Sequence, residues 1–193
     1  MKLKPIAYIG IVFLLLALPL SAQRAPDIDS FKEGFARYTV NGKYGFIDKT
    51  GKLAIAAVYE NAIYFKNGVA AVKKNRKWGY INADGVLIIQ PQFEDADSFS
   101  EGYACVRKNG NYGFINKSGT FVIQPQFDYA FSFTEGLAAV KKDKKWGFIT
   151  PTGSYAILLQ FESVMSFSEG LAVIRINEKH GYIDKTGEIK IAA

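Results

Sequence analysis

The segment Phe-x-Glu-Gly stands at Phe31–Gly34, Phe99–Gly102, Phe133–Gly136 and Phe167–Gly170, and the variant Phe65–Gly68 completes a series whose step is 34 residues throughout. An aromatic residue followed by glycine keeps the same phase at Tyr44, Trp78, Tyr112 and Trp146, with His180 in the fifth slot. Turn glycines do the same at Gly51, Gly85, Gly119, Gly153 and Gly187, and no residue is inserted or lost. A period of this length is the mark of a repeat architecture. Units too small to bury their own apolar face must then share an interior with their neighbours.

Each unit reads as three short strands. In the fourth, Leu137–Lys142 runs apolar into the pair Asp143-Lys144, and Lys145–Ile149 returns as the second arm of a β-hairpin. The corresponding pairs begin with Asn41, Asn75, Asn109 and Asn177, and Asn and Asp tolerate the positive φ of a type I′ turn best among the non-glycine residues. The turn sets the register. Pairing Lys142 with Lys145 places Val140 opposite Gly147, where a missing Cβ permits close approach. Asp48–Gly51 and its four equivalents then read as type I turns closed by a left-handed glycine. A third strand such as Phe121–Gln124 follows, ended by Pro125, and residues 126–130 link to the next unit.

The expected fold class is all-β: five three-stranded antiparallel units spanning 31–64, 65–98, 99–132, 133–166 and 167–193. Three strands are one fewer than a usual propeller blade, so an open β-solenoid is favoured and a closed five-bladed propeller-like ring is the alternative.

Ahead of the repeats, Lys2 and Lys4 precede an apolar run from Ile6 to Leu18, followed by Pro19 and a small-residue exit. Residues 1–22 therefore read as a signal peptide cleaved before Gln23, leaving 23–193 as the repeat domain. The run is shorter than the roughly 20 residues a bilayer span needs, so no membrane span is expected in the mature chain. Cys105 is the lone cysteine and lies far from the exit, which excludes an internal disulfide and a lipid anchor there. The expected location is periplasmic or extracellular. Loss of Lys2 and Lys4 takes the net charge from +6 to +4, too mild a field for nucleic acid as partner.

Four sets of side chains recur or cluster. Basic residues crowd the hairpin tips, among them Lys73, Lys74, Arg76 and Lys77 in the second unit and Lys141, Lys142, Lys144 and Lys145 in the fourth. A row of such tips could attract an anionic polymer. The plainer role, keeping strand edges from aggregating, takes precedence. Trp78, Trp146, Tyr44 and Tyr112 could form platforms for sugar rings or cationic headgroups, although wedges between units are the simpler expectation. Glu33, Glu101, Glu135 and Glu169 supply one carboxylate per repeat, which is far from a calcium-binding loop. His180 is a substituted aromatic without a metal-ligand partner nearby, and Cys105 replaces the alanine of its equivalents Ala71 and Ala139. No cofactor or metal is expected.

The run Phe133–Val140, then Lys145-Trp146-Gly147-Phe148-Ile149 and Gly153, resembles the WG-repeat (KWG-repeat) family of bacterial proteins over essentially the whole mature chain. The resemblance implies a repeat-built β protein, often exported, with binding roles and no agreed catalytic residues. Asn67 for glutamate, Tyr44 and Tyr112 for tryptophan and His180 depart from the pattern. The expected function is thus a non-catalytic binding or scaffold module of the cell envelope, with a protein or envelope glycan as partner. Self-association is possible through the end units. The alternatives are anionic-polymer binding at the tips, or a glycan-acting enzyme using Asp128 and Glu162. An enzyme normally breaks its own symmetry at one place, and the uninterrupted period favours binding.

Overall fold

The computed structural model describes residues 27–192, so the expected signal peptide lies outside the described residues. Among the described residues there is no helix; the chain forms five antiparallel sheets of four strands each. The first sheet contains β1 (Asp27–Ile28), β2 (Phe35–Val40), β3 (Lys43–Asp48) and β4 (Leu53–Tyr59). The second contains β5 (Asn61–Ala62), β6 (Val69–Lys74), β7 (Lys77–Asn82) and β8 (Leu87–Phe93). The third contains β9 (Asp95–Ala96), β10 (Tyr103–Lys108), β11 (Asn111–Asn116) and β12 (Phe121–Phe127). The fourth contains β13 (Tyr129–Ala130), β14 (Ala138–Lys142), β15 (Lys145–Ile149) and β16 (Tyr155–Phe161). The fifth contains β17 (Ser163–Val164), β18 (Leu171–Ile176), β19 (Lys179–Asp184) and β20 (Ile189–Ile191). Every sheet is a simple meander in chain order.

The three strands read from each unit are present, with the expected hairpin register of Lys142 opposite Lys145 and Val140 opposite Gly147. The fourth strand comes from the linker. Tyr129 pairs with Lys141 and Ala130 with Val140, so two residues after β12 already belong to the next sheet. Each sheet thereby acquires the four-stranded plan of a propeller blade.

The third strand also runs further than expected. Pro125 does not end β12, which continues to Phe127. Between Tyr112↔Phe127 and Phe114↔Ile123 the register shifts, with one residue of β11 facing three of β12. In such a bulge a proline gives up no ladder hydrogen bond, because the extra residues are unpaired in any case. In the fourth sheet Gly147 is the residue that lies against the equivalent bulge. A Cβ built there would stand 2.5 Å from the carbonyl oxygen of Ile157 and 2.8 Å from the carbonyl carbon of Leu158. The close approach is thus to the backbone of β16, and not to the side chain of Val140.

The interior lies between sheets. Four buried clusters form, each drawn from two successive sheets. Between the first two sheets, Phe46, Ile55 and Tyr59 meet Ala62, Phe65 and Val72. Since side chains alternate along a strand, each inner sheet gives one face to the sheet before it and the other to the sheet after it. At the two ends the same positions are exposed: Phe31 is 43% accessible where Phe65, Phe99, Phe133 and Phe167 are at most 3%, and Ile191 is 52% where its four equivalents are at most 6%. The array is therefore open at both ends, even though its sheets have the strand number of blades.

Candidate functional site

The repeated glutamates lie in tight turns and reach forward one unit. Glu33 accepts the backbone N–H groups of Asn67 (2.7 Å) and Gly68 (2.9 Å) with its two carboxylate oxygens. Glu101 accepts from the N–H of Gly136 at 2.9 Å, and Glu135 from that of Gly170 at 3.0 Å. These bonds hold the Glu33 carboxyl below the usual range, and the Lys185 ammonium 3.1 Å from Glu135 does the same there. Where Asn67 replaces glutamate, its amide nitrogen donates instead to the Phe99 carbonyl oxygen at 3.0 Å. The carboxylates are latches between units. Among the described residues no group of three or more His, Cys, Asp or Glu side chains is placed to hold a metal ion.

A second set of carboxylates buttresses the hairpin tips. Glu60 accepts the N–H of Arg76 at 2.9 Å, Glu94 that of Gly110 at 3.0 Å, and Glu162 that of Glu178 at 3.3 Å. The sequence held a signal for this role, because position 60 and its equivalents 94, 128 and 162 are all acidic. The carboxylate stands 16 residues ahead of its partner, so only the fold reveals what it meets.

The tips themselves carry the basic residues outward. Lys74, Arg76, Lys77, Lys144 and Lys145 are exposed, while Lys73, Lys141 and Lys142 are half-buried. Each hairpin brings one lysine to its own tryptophan: Lys73 Nζ is 5.8 Å from the Trp78 ring centre and Lys141 Nζ is 5.9 Å from that of Trp146. Arg107 stands likewise over Tyr112 at 5.8 Å. A shallow niche lies beside the second tip, lined by Lys74, Asn75, Lys77, Leu87, Gln90 and Pro91.

Trp78 and Trp146 are only 7% and 9% accessible. Trp146 stacks on Phe131 with ring centres 5.2 Å apart and planes 15° from parallel. With so little of either ring accessible, neither tryptophan offers an open indole face to a ligand. Tyr44 and Tyr112 are half-buried. The Tyr112 hydroxyl donates to Asp95 at 3.1 Å, and burial with the nearby carboxylate raises its pKa.

Beside Asp95, Asp97 accepts a hydrogen bond from the Ser132 hydroxyl at 3.1 Å, and burial raises its carboxyl above the ordinary value. Cys105 is buried, with Sγ directed at the Ala130 carbonyl oxygen at 3.6 Å, and burial pushes its thiol well up. A nucleophilic cysteine needs the opposite shift. His180 is exposed.

Comparison with known proteins follows the same repeat. The family profile described as WG containing repeat matches residues 26–44, 44–78, 78–112, 112–146 and 146–179. Among solved structures, Kluyveromyces lactis Hsv2 with complete loop 6CD is similar at a TM-score of 0.54 and 7% identity, over 86% of this chain and 62% of Hsv2. A eukaryotic initiation factor is similar at a TM-score of 0.57 and 14% identity, over 83% of this chain and 52% of the factor. The chain thus spans between about half and two-thirds of these structures, and at such identity the likeness is one of propeller-like or β-repeat fold alone. A search of curated proteins found no match.

Proposed function

Since the chain belongs to the WG containing repeat family, we propose that it works as an exported, non-catalytic binding or scaffold module of the bacterial cell envelope, presenting a repeated β surface to a protein or glycan partner. A repeat array offers a long regular surface and does not call for an acid–base pair at one place. The phenylalanines Phe65, Phe99, Phe133 and Phe167 are buried between units, and Glu33, Glu101 and Glu135 bond forward to the next unit.

One observation favours the hairpin tips as the contact. Arg76 and Lys144 hold φ of 63° and 66°, a conformation that strains an L-residue, where the first and third units carry Gly42 and Gly110. A cation kept at a position better suited to glycine supports a role for its charge. Glu178 at the fifth tip shares the strained φ, so the basic character belongs to the second and fourth units. These tips present a cationic edge to anionic envelope glycans or headgroups.

Retention on immobilised anionic polysaccharide tests this reading. The variant carrying Lys141→Gln, Lys142→Gln, Lys144→Gln and Lys145→Gln is expected to elute at markedly lower salt with unchanged melting. Equal retention would eliminate the tips as the contact. Turnover of any glycan in a broad envelope panel would overturn the non-catalytic role, and an intact N-terminus on protein recovered from cells would overturn export.

A further inference from the structure

We propose that the two end faces of the array bind each other between copies, so that the chain assembles head to tail. The interface involved is one the molecule already builds four times. Phe65, Phe99, Phe133 and Phe167 each lie with ring centres 4.8–5.0 Å from Phe46, Tyr80, Phe114 and Phe148 of the preceding sheet. Ile55, Ile89, Ile123 and Ile157 of the preceding sheet are covered by the turn glycine of the following unit, from Gly85 to Gly187. The glutamate latch and the ammonium of Lys185 close the edge.

The first sheet carries the incoming half of this interface and the fifth carries the outgoing half, and both stand open. On the first, Phe31 is 43% accessible, Ile28 54% and Leu53 45%. On the fifth, Tyr182 is 40% accessible and Ile191 52%. An apolar groove opens beside that face, where Leu171, Val173, Tyr182 and Glu169 line it together with Phe131 and Phe167 from the boundary with the fourth sheet. Inside the chain the incoming phenylalanine sits between the equivalents of Leu171 and Tyr182. Phe65 illustrates this, with ring centres 4.5 Å from Phe35 and 4.8 Å from Phe46. The groove is therefore shaped as the seat for Phe31 of a second copy.

The polar groups match in the same alignment. Glu169 occupies the repeat position of Glu135, and the Glu33 and Gly34 N–H groups occupy those of Glu169 and Gly170. Lys49 occupies the position of Lys185, whose Nζ lies 3.1 Å from Glu135. A second copy brings Phe31 onto Leu171 and Tyr182, the Gly34 N–H onto the Glu169 carboxylate, and the Lys49 ammonium beside it. An aromatic seat, a backbone donor and an ion pair are satisfied at once. Such a contact joins unlike faces, so it propagates into a ring or a filament and does not stop at a two-fold dimer. The assembly does not depend on which ligand the hairpin tips meet.

The test is the molar mass of the purified chain by light scattering and sedimentation across a wide concentration range. Wild type is expected to grow beyond the dimer as concentration rises. Phe31→Asp and Tyr182→Asp each remove one end and should both be monomeric with unchanged far-ultraviolet circular dichroism. Mixed in equal amounts, they retain one compatible pair of faces and should form a species of twice the monomer mass that grows no further. Wild type that stays monomeric at every concentration overturns the proposal. So does either variant that still assembles alone, or a mixture that stays monomeric while wild type assembles.

Discussion

Gly147 illustrates how a repeat position becomes fixed. Its backbone passes so close to the bulge in β16 that even one methyl group would stand 2.5 Å from the Ile157 carbonyl oxygen. The obstacle is backbone and cannot rotate away, so Gly147→Ala is expected to cost about 2–4 kcal/mol in urea unfolding; a loss below about 0.5 kcal/mol would refute the contact. That a glycine was required there was legible from the hairpin register. The neighbour that requires it was not, because the bulge shifts β15 against β16 in a way no turn residue announces. The candidate site was legible to a similar depth. Sequence placed the basic residues at the hairpin tips, whereas the burial of Trp78 and Trp146 depended on how the sheets pack, with Phe131 stacked on Trp146.

The hairpins are the best-specified elements, since two central residues fix both the turn and the register. The two-residue strands that open each sheet are the least, because Tyr129–Ala130 is too short to carry a period and pairs only with a hairpin still to come. Between elements, the same phenylalanine has different worth depending on what covers it. Phe133 is fully buried, 4.8 Å from Phe114 and 5.3 Å from Tyr103 by ring centres. Phe133→Ala is therefore expected to cost about 3–5 kcal/mol by denaturant titration. Phe31→Ala at the equivalent position, measured at concentrations where the chain is monomeric, should cost less than half as much. Equal losses would mean that Phe31 is covered in the free chain.

Across the whole molecule the glutamates that bridge units and the aspartates that cap the turns share one dependence on pH. Glu33 and Glu135 are held below the ordinary carboxyl value of 4.5, and Asp48 and Asp184 below 3.8. Groups whose pKa is lowered by folding stabilise the folded state fully above the unfolded value and lose that contribution as the pH falls through the folded one. Among the described residues Asp97 is the carboxyl raised by burial, and it opposes them. Melting temperature is thus expected to change little from neutral pH to about 5 and to fall below about 4.5, with a shallower acid limb in Glu135→Gln; an acid limb unchanged by that substitution would remove Glu135 from the account. The sequence by itself determined that the chain is an all-β array of five units, because an unbroken 34-residue period and repeated turn chemistry act locally and leave few alternatives. Only the tertiary structure decided that each sheet has four strands, that the glutamates bind forward to the next unit, and that both ends stay open. Those features depend on what one unit presents to its neighbour, a relation in space that no single unit's residues encode.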